Sequence, residues 1–218
     1  MLRGTQVLLG DEASEYYGLI DTFTQVMLSH DYKELVVPTI WEANTFRKKI
    51  QGDTLEQMWT FADKKGRDCC LIPEVTAIVQ ELYNDRWSKE MPKPIRLFYC
   101  SRVFRYERPQ AGRLREFTQF GCEILGPFVQ EIDDECIDLL QECIGRYTAD
   151  YVMKIGVKRG LGYYIEDGFE VEIPTLGAQK QVAGGGRYAE GIGWAIGIER
   201  LLLSGQESSG ESGQVEDA

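Results

Sequence analysis

The chain has 218 residues, 43% hydrophobic and 27% charged, which suits one compact domain with a real core and leaves little room for two. A formal net charge of −11 argues against a protein that coats nucleic acid, and no apolar run nears the roughly 20 residues that span a bilayer. Six scattered cysteines lack any metal-ligand spacing, a single histidine leaves no room for His-rich sites or triads, and the first residues lack a secretion signal, so a reduced, cytoplasmic protein with no metal cluster is expected.

In chain order, residues 12–29 have helical spacing, with Tyr16, Leu19, Ile20, Phe23, Val26 and Met27 on one face, Asp11 as the cap and His30 closing the helix. Residues 33–37 form a short strand ending at Pro38, and 42–50 a short helix. Residues 58–62 and 69–72 read as a hairpin around Asp63-Lys-Lys-Gly66, and 74–85 as a helix that starts after Pro73. Residues 95–105 and 116–125 are two strands joined by a long loop, followed by an amphipathic helix over 129–150. Further strands are expected at 151–157, 163–173 and 179–183. Gly184-Gly-Gly186 reads as a loop, and 193–203 runs from an apolar strand into a last helix. Strands grouped without regular βα alternation predict an α+β fold, a mixed and mainly antiparallel sheet flanked by helices. The domain spans 1–204. The segment 205–218, Gly/Ser/Glu-rich with four acids and no base, is expected to be a disordered tail.

Five arginines, Arg102, Arg105, Arg108, Arg113 and Arg115, crowd the loop between the paired strands of this acidic chain. Guanidinium groups grip phosphate oxygens in a fixed planar geometry, so a polyphosphate lying across the strands would explain them, with Arg105 at the attacked phosphate, Arg108 and Arg113 on the outer ones and Phe117 stacked on a base. Solvated arginines paired with Glu107, Glu116 and Glu123 would explain them equally. Glu74 and Thr76 could hold an ammonium group or simply serve a helix N-terminus. Tyr163 and Tyr164, after Arg159, could wall a small polar pocket or pack on the sheet. Arg200, among aliphatics, needs an anion, either a phosphate or a carboxylate such as Glu199.

Taken together and in order, these segments resemble the catalytic core of class II aminoacyl-tRNA synthetases, most closely the histidyl-tRNA synthetases. The resemblance rests on Leu2-Arg-Gly-Thr5, Val37-Pro-Thr-Ile40 (like motif 1), Pro73-Glu-Val-Thr-Ala77, and Phe104-Arg-Tyr-Glu-Arg-Pro-Gln-Ala-Gly-Arg113 with Phe117-Thr-Gln-Phe-Gly-Cys-Glu123 (like motif 2). It continues through Arg159-Gly-Leu-Gly-Tyr-Tyr164 (like the histidine signature), Gly184-Gly-Gly-Arg-Tyr188 and Gly197-Ile-Glu-Arg200 (like motif 3). It implies ATP- and Mg²⁺-dependent activation of histidine or another amino acid. Arg105, Glu107, Arg113, Phe117 and Arg200 would bind ATP, and Arg105, Arg159 and Arg200 would be catalytic. Glu74, Thr76, Gln119, Glu123, Arg159, Tyr163 and Tyr164 would bind the amino acid, and Gln110 would meet the tRNA acceptor end. A homodimer built around motif 1 is implied as well. The pattern departs from the family at Val75 (usually glycine), Thr118 (usually histidine), Gly162 (usually an acid) and Ala189 (usually an aspartate). Only residues 129–158 stand where the family has an insertion, and no anticodon-binding domain follows motif 3. That leaves room for an alternative, a non-catalytic paralogue like the regulatory subunit of ATP phosphoribosyltransferase.

Overall fold

The computed structural model describes residues 1–110, 112–177 and 180–210. The first helix, α1 (Asp11–Ser29), buries Tyr16, Leu19, Phe23, Val26 and Met27 at spacings of three and four, and Ile20 packs against the same cluster. Gly10, not Asp11, is its N-cap. Asp11 is instead a first-turn acid beside the positive end of the helix dipole. His30 closes the helix, and its Nε2 lies 3.0 Å from Glu142.

A small antiparallel sheet comes next in the chain. Strands β2 (Ile40–Glu42), β3 (Trp59–Ala62) and β4 (Asp68–Leu71) pair in the order β2-β4-β3. The predicted turn at 63–66 forms because the Asp63 carboxylate accepts the N–H groups of Lys65 and Arg67 at 2.8 and 2.9 Å. Short helices α2 (Ala43–Arg47) and α3 (Asp53–Glu56) lie between β2 and β3. Helix α4 (Thr76–Leu82) continues through a π-helical turn, Tyr83–Trp87, into α5 (Ser88–Glu90).

The main sheet has seven strands in the order β1-β5-β6-β10-β9-β8-β7. These are β1 (Lys33–Glu34), β5 (Ile95–Phe104), β6 (Glu116–Leu125), β7 (Val152–Val157), β8 (Gly168–Glu172), β9 (Gln181–Tyr188) and β10 (Gly191–Gly197). Only β1–β5 is parallel, so the sheet is mixed and mainly antiparallel, as expected for an α+β fold. Helix α6 (Gln130–Tyr147) follows β6, and α7 (Ile198–Gly210) follows β10.

Period-two alternation divides the sheet into two faces. Phe98, Phe120, Cys122, Ile124, Phe169, Val171, Ile192, Trp194 and Ile196 join the buried faces of α1, α6 and α7 in one core. On the other face, Leu97, Tyr99 and Leu125 pack with α2, α4 and the small sheet in a second core. No helix among the described residues is long and apolar enough to cross a membrane.

Four expectations need correction. The strand predicted over 163–173 forms only at Gly168–Glu172. Tyr163 and Tyr164 sit in a turn where the Tyr164 N–H bonds Leu161 O, because Gly160 and Gly162 bend the chain first. The predicted strand at 179–183 and loop at 184–186 are one continuous strand, β9, although Gln179 lies outside the described residues. The strand predicted over 33–37 shortens to Lys33–Glu34. Finally, α7 runs to Gly210, past the predicted boundary at 204. Its buried Ile198, Leu201 and Leu202 nucleate the helix, and further residues then add cheaply. The rest of the expected tail, 211–218, lies outside the described residues.

Candidate active site

The second face of the sheet is covered over only part of its width, and a cavity of about 630 Å³ opens on the remainder. Its floor is nearly free of side chains. In register across the sheet, Tyr99 on β5 faces Gly121 on β6, which faces Ala195 on β10, then Gly184 on β9, then Glu170 on β8. The triple glycine is therefore strand, kept bare so that other groups can lie on it. A Cβ at Gly121 would come within 2.8 Å of Tyr99 Cε1, and one at Gly184 within 2.7 Å of Arg159 Cζ. Alternation fails as a sequence signal here, since three consecutive residues of β9, Gly184 to Gly186, carry no side chain to read.

Arginines gather on the wall around β5, β6 and α7. Arg105, just beyond β5, donates from Nε to Pro73 O at 3.0 Å, and its guanidinium lies 5.3 Å from the Phe117 ring centre. Arg113 stands 3.4 Å from Glu107. Arg200, in the first turn of α7, donates to Gly112 O at 2.9 Å and Gln181 O at 2.8 Å. Burial, together with the charges of Arg113 and Arg105, pulls the Arg200 guanidinium below its ordinary value, while Glu107 opposes this. The three arginines thus repel one another across a shared space, an arrangement that an anion would relieve.

Buried carboxylates and hydroxyls lie on the same cavity. Glu74, 2% exposed, accepts the Ala77 N–H at 2.9 Å and the Tyr163 hydroxyl at 3.2 Å. Burial pushes its pKa up, and Ala77, Arg105 and Tyr163 pull the other way. Thr76, Gln119, Tyr163 and Tyr164 also line this region, and Gln119 Oε1 is buried with no hydrogen-bond partner among the described residues. A carboxylate, a hydroxyl and an orphaned carbonyl oxygen form an acceptor set for an ammonium group.

Every predicted ATP or amino-acid contact lines this cavity except Glu123. Glu123 is on the cavity face of β6, two residues along from Gly121, but it is fully buried behind the lining and accepts the Thr76 hydroxyl at 2.6 Å and the Tyr188 hydroxyl at 2.5 Å. Burial pushes its pKa up to about 8, against the two hydroxyl donors. Its carboxylate points at Gly193, where a Cβ would lie within 2.7 Å of Cδ. Tyr188 closes the Gly184-Gly-Gly-Arg-Tyr188 motif but is given no role from the sequence, because its strand reads there as a glycine loop. Gln110 is exposed at the tip of the arginine loop, away from the cavity, and Arg108 does not line it either. Ala111, between them and Arg113, lies outside the described residues. Arg102 pairs with Glu116 at 3.7 Å and Arg113 with Glu107, so part of the ion-pair alternative holds as well. A Cβ at Gly162 would lie 2.8 Å from Gln51 Cγ, so Gln51 fills the space beside this position.

Residues 4–159, more than half of the chain, match the sequence profile of the family described as histidyl-tRNA synthetase. The chain is 26% identical to a histidine–tRNA ligase of Natranaerobius thermophilus over 93% of its own length and 73% of that protein's. It is 37% identical to one of Archaeoglobus fulgidus over 71% of its length and 37% of that protein's. The first alignment runs over 309 positions while the chain has 218 residues, so the relative carries additional sequence inside the matched span, in keeping with a missing insertion. Among solved structures, apo histidyl-tRNA synthetase of S. aureus superposes with a TM-score of 0.80 at 25% identity, over 99% of this chain and 72% of that one. A Bacillus halodurans protein described as an ATP phosphoribosyltransferase regulatory subunit/histidyl-tRNA synthetase gives 0.80 at 16% identity, over 94% and 82%, a likeness of fold alone.

Proposed function

The chain belongs to the histidyl-tRNA synthetase family and carries its class II, ligase-like catalytic core; from that premise we propose that it activates an amino acid, histidine, with ATP to form the aminoacyl-adenylate. The observation carrying this reading is the convergence of Arg105, Arg113 and Arg200, from two distant parts of the chain, on one cavity that also holds Glu74, Thr76, Gln119 and Tyr163. In the reaction, a carboxylate oxygen of the amino acid attacks the α-phosphorus. An O–P bond forms, the bond to the bridging oxygen breaks, and pyrophosphate leaves with its electrons. The carboxylate is already ionised at neutral pH, so no general base is needed. Arg105 and Arg200 would neutralise the charge that builds on phosphorus, Arg113 and Glu107 would hold the outer phosphates and the nucleotide, and Phe117 would stack on the base. Glu74, Thr76 and Gln119 would hold the α-ammonium group. Arg159 would meet the reacting carboxylate, and Tyr164 would face the amino acid's side chain.

Carboxylate oxygens are the donors Mg²⁺ takes, usually one or two beside substrate phosphates, and Glu107 and Glu199 on the cavity wall fit that need. Bound there, the ion would neutralise phosphate charge. Transfer to a tRNA end would use the exposed loop at Gln110. We place the reaction in the cytoplasm and in a homodimer joined around residues 37–40. The rival reading, a regulatory paralogue, has little use for three arginines aimed into one cavity.

ATP–pyrophosphate exchange measured across all the amino acids is the test. Histidine should drive it, and Arg105→Ala should reduce it about 100- to 1000-fold. Strong exchange with a different amino acid alone would replace histidine. No exchange with any, together with a co-purifying partner enzyme, would favour the regulatory reading.

A further inference from the structure

We propose that Glu170 is a positioning residue that acts through Arg159, with Gly184 as the slot that makes the arrangement possible. The proposal rests on the activation reading above and deepens it. Arg159 comes from the turn after β7, not from the sheet, and reaches back across β8 and β9. Its Nη1 donates to Glu170 Oε2 at 3.3 Å, with both side chains mostly buried, 14% and 15% exposed. Glu170 and Gly184 are cross-strand partners, so they share the cavity face. The guanidinium lies in the space a Cβ on Gly184 would occupy, and the Arg159 stem lies over Gly168, where a Cβ would come within 2.8 Å of Cγ. The Tyr164 ring, 5.8 Å away, closes the other side.

The pairing leaves the arginine partly unspent. Its Nε is buried with no hydrogen-bond partner among the described residues, while Arg159 and Gly184 both line the cavity. Nη2, which lies over Gly184, makes no hydrogen bond with a described residue and is the donor left for a ligand's anionic oxygen. Glu170 offers a single contact at one edge of the guanidinium. That contact fixes the orientation of the group without consuming the donors that face the cavity. A long, flexible side chain held this way has already lost its rotamer freedom before substrate arrives.

Two measurements test the link. In the first, histidine-driven ATP–pyrophosphate exchange is run on a double-mutant cycle of Arg159→Ala and Glu170→Ala. Glu170→Ala alone should lower kcat by about 100-fold, the scale of a misplaced reacting group, with KM for ATP little changed. Glu170→Gln, which still accepts a hydrogen bond, should recover part of that loss. In the Arg159→Ala background, Glu170→Ala should add nothing, because its effect passes through the arginine. An effect that multiplies in full in that background would overturn the proposal and mark Glu170 as merely structural. The second measurement does not depend on activity. The Arg159 Nε–H resonance of ¹⁵N-labelled protein should be slowly exchanging in the parent chain and lost in both Glu170→Ala and Gly184→Ala. If the parent fails to exchange with every amino acid, the activation reading falls and the resonance alone decides the link. A resonance unchanged in both variants would overturn it.

Discussion

Glu123 shows how burial changes the protonation of a carboxylate that the family pattern marks for ligand contact. The carboxyl group lies on the cavity face behind the lining, with the Thr76 and Tyr188 hydroxyls as its side-chain donors among the described residues, and burial raises its pKa from an ordinary 4.5 to about 8. Between these values the folded chain keeps a proton that the unfolded chain has lost. The stabilisation is therefore complete below 4.5 and disappears as pH rises through about 8. Denaturant midpoints should fall as pH is raised from about 5 to about 9, Glu123 contributing a slope of up to about 1.4 kcal/mol per pH unit. Glu123→Gln should flatten the curve, leaving a residue of slope from Glu74 and Glu199, whose pKa values burial also raises. A Gln variant as steep as the parent would show that Glu123 is not the titrating group. Tyr188→Phe removes one of the two donors and should cost about 1–3 kcal/mol in chemical denaturation, the usual penalty for stranding a buried polar group.

At the scale of elements, β9 and β10 decide whether there is a site at all. Their glycines are packed from both sides. A Cβ on Gly185 would come within 2.7 Å of Trp194 Cβ and 2.8 Å of Phe169 Cε2, and would also strike the Gly193 carbonyl. Because backbone and core both resist, Gly185→Ala should destabilise the fold by about 1–3 kcal/mol or more. Gly145, exposed on α6 with nothing within 4 Å of an added Cβ, is the opposite case. Gly145→Ala should stabilise by up to about 1 kcal/mol, since only backbone freedom is lost. Denaturation of the two variants side by side checks both signs, and a neutral Gly185→Ala would mean that β9 is not the crowded central strand described here.

At the scale of the molecule, the apolar surface is unevenly distributed. Val36 is 83% exposed, and Ile40 is exposed four residues further along. A second copy covering both would take their apolar surface out of water. This supports the proposed homodimer around residues 37–40. The parent chain should sediment as a dimer and Val36→Asp as a monomer, or with a dissociation constant raised at least about tenfold, the equivalent of 1.4 kcal/mol. A parent that sediments as a monomer at every concentration would defeat the dimer.

The sequence by itself determined the fold class. Apolar periodicity placed α1, α4 and α6 within a few residues of their observed limits, and alternation placed β5, β6 and β10, because each buries one continuous face. The crowding of arginine in an acidic chain fits a bound anion and surface ion pairs equally well. Only the tertiary structure decided which groups meet. The order of the sheet carries β10 between β6 and β9, bringing Arg200 to Arg105 and Arg113. It turns three glycines from an apparent loop into a floor, buries Glu123 against Thr76 and Tyr188, and lays Arg159 against Glu170. Local patterns report what a residue does to its own strand or helix. They are silent on a space left empty, and here the empty face of the sheet is what makes room for a ligand.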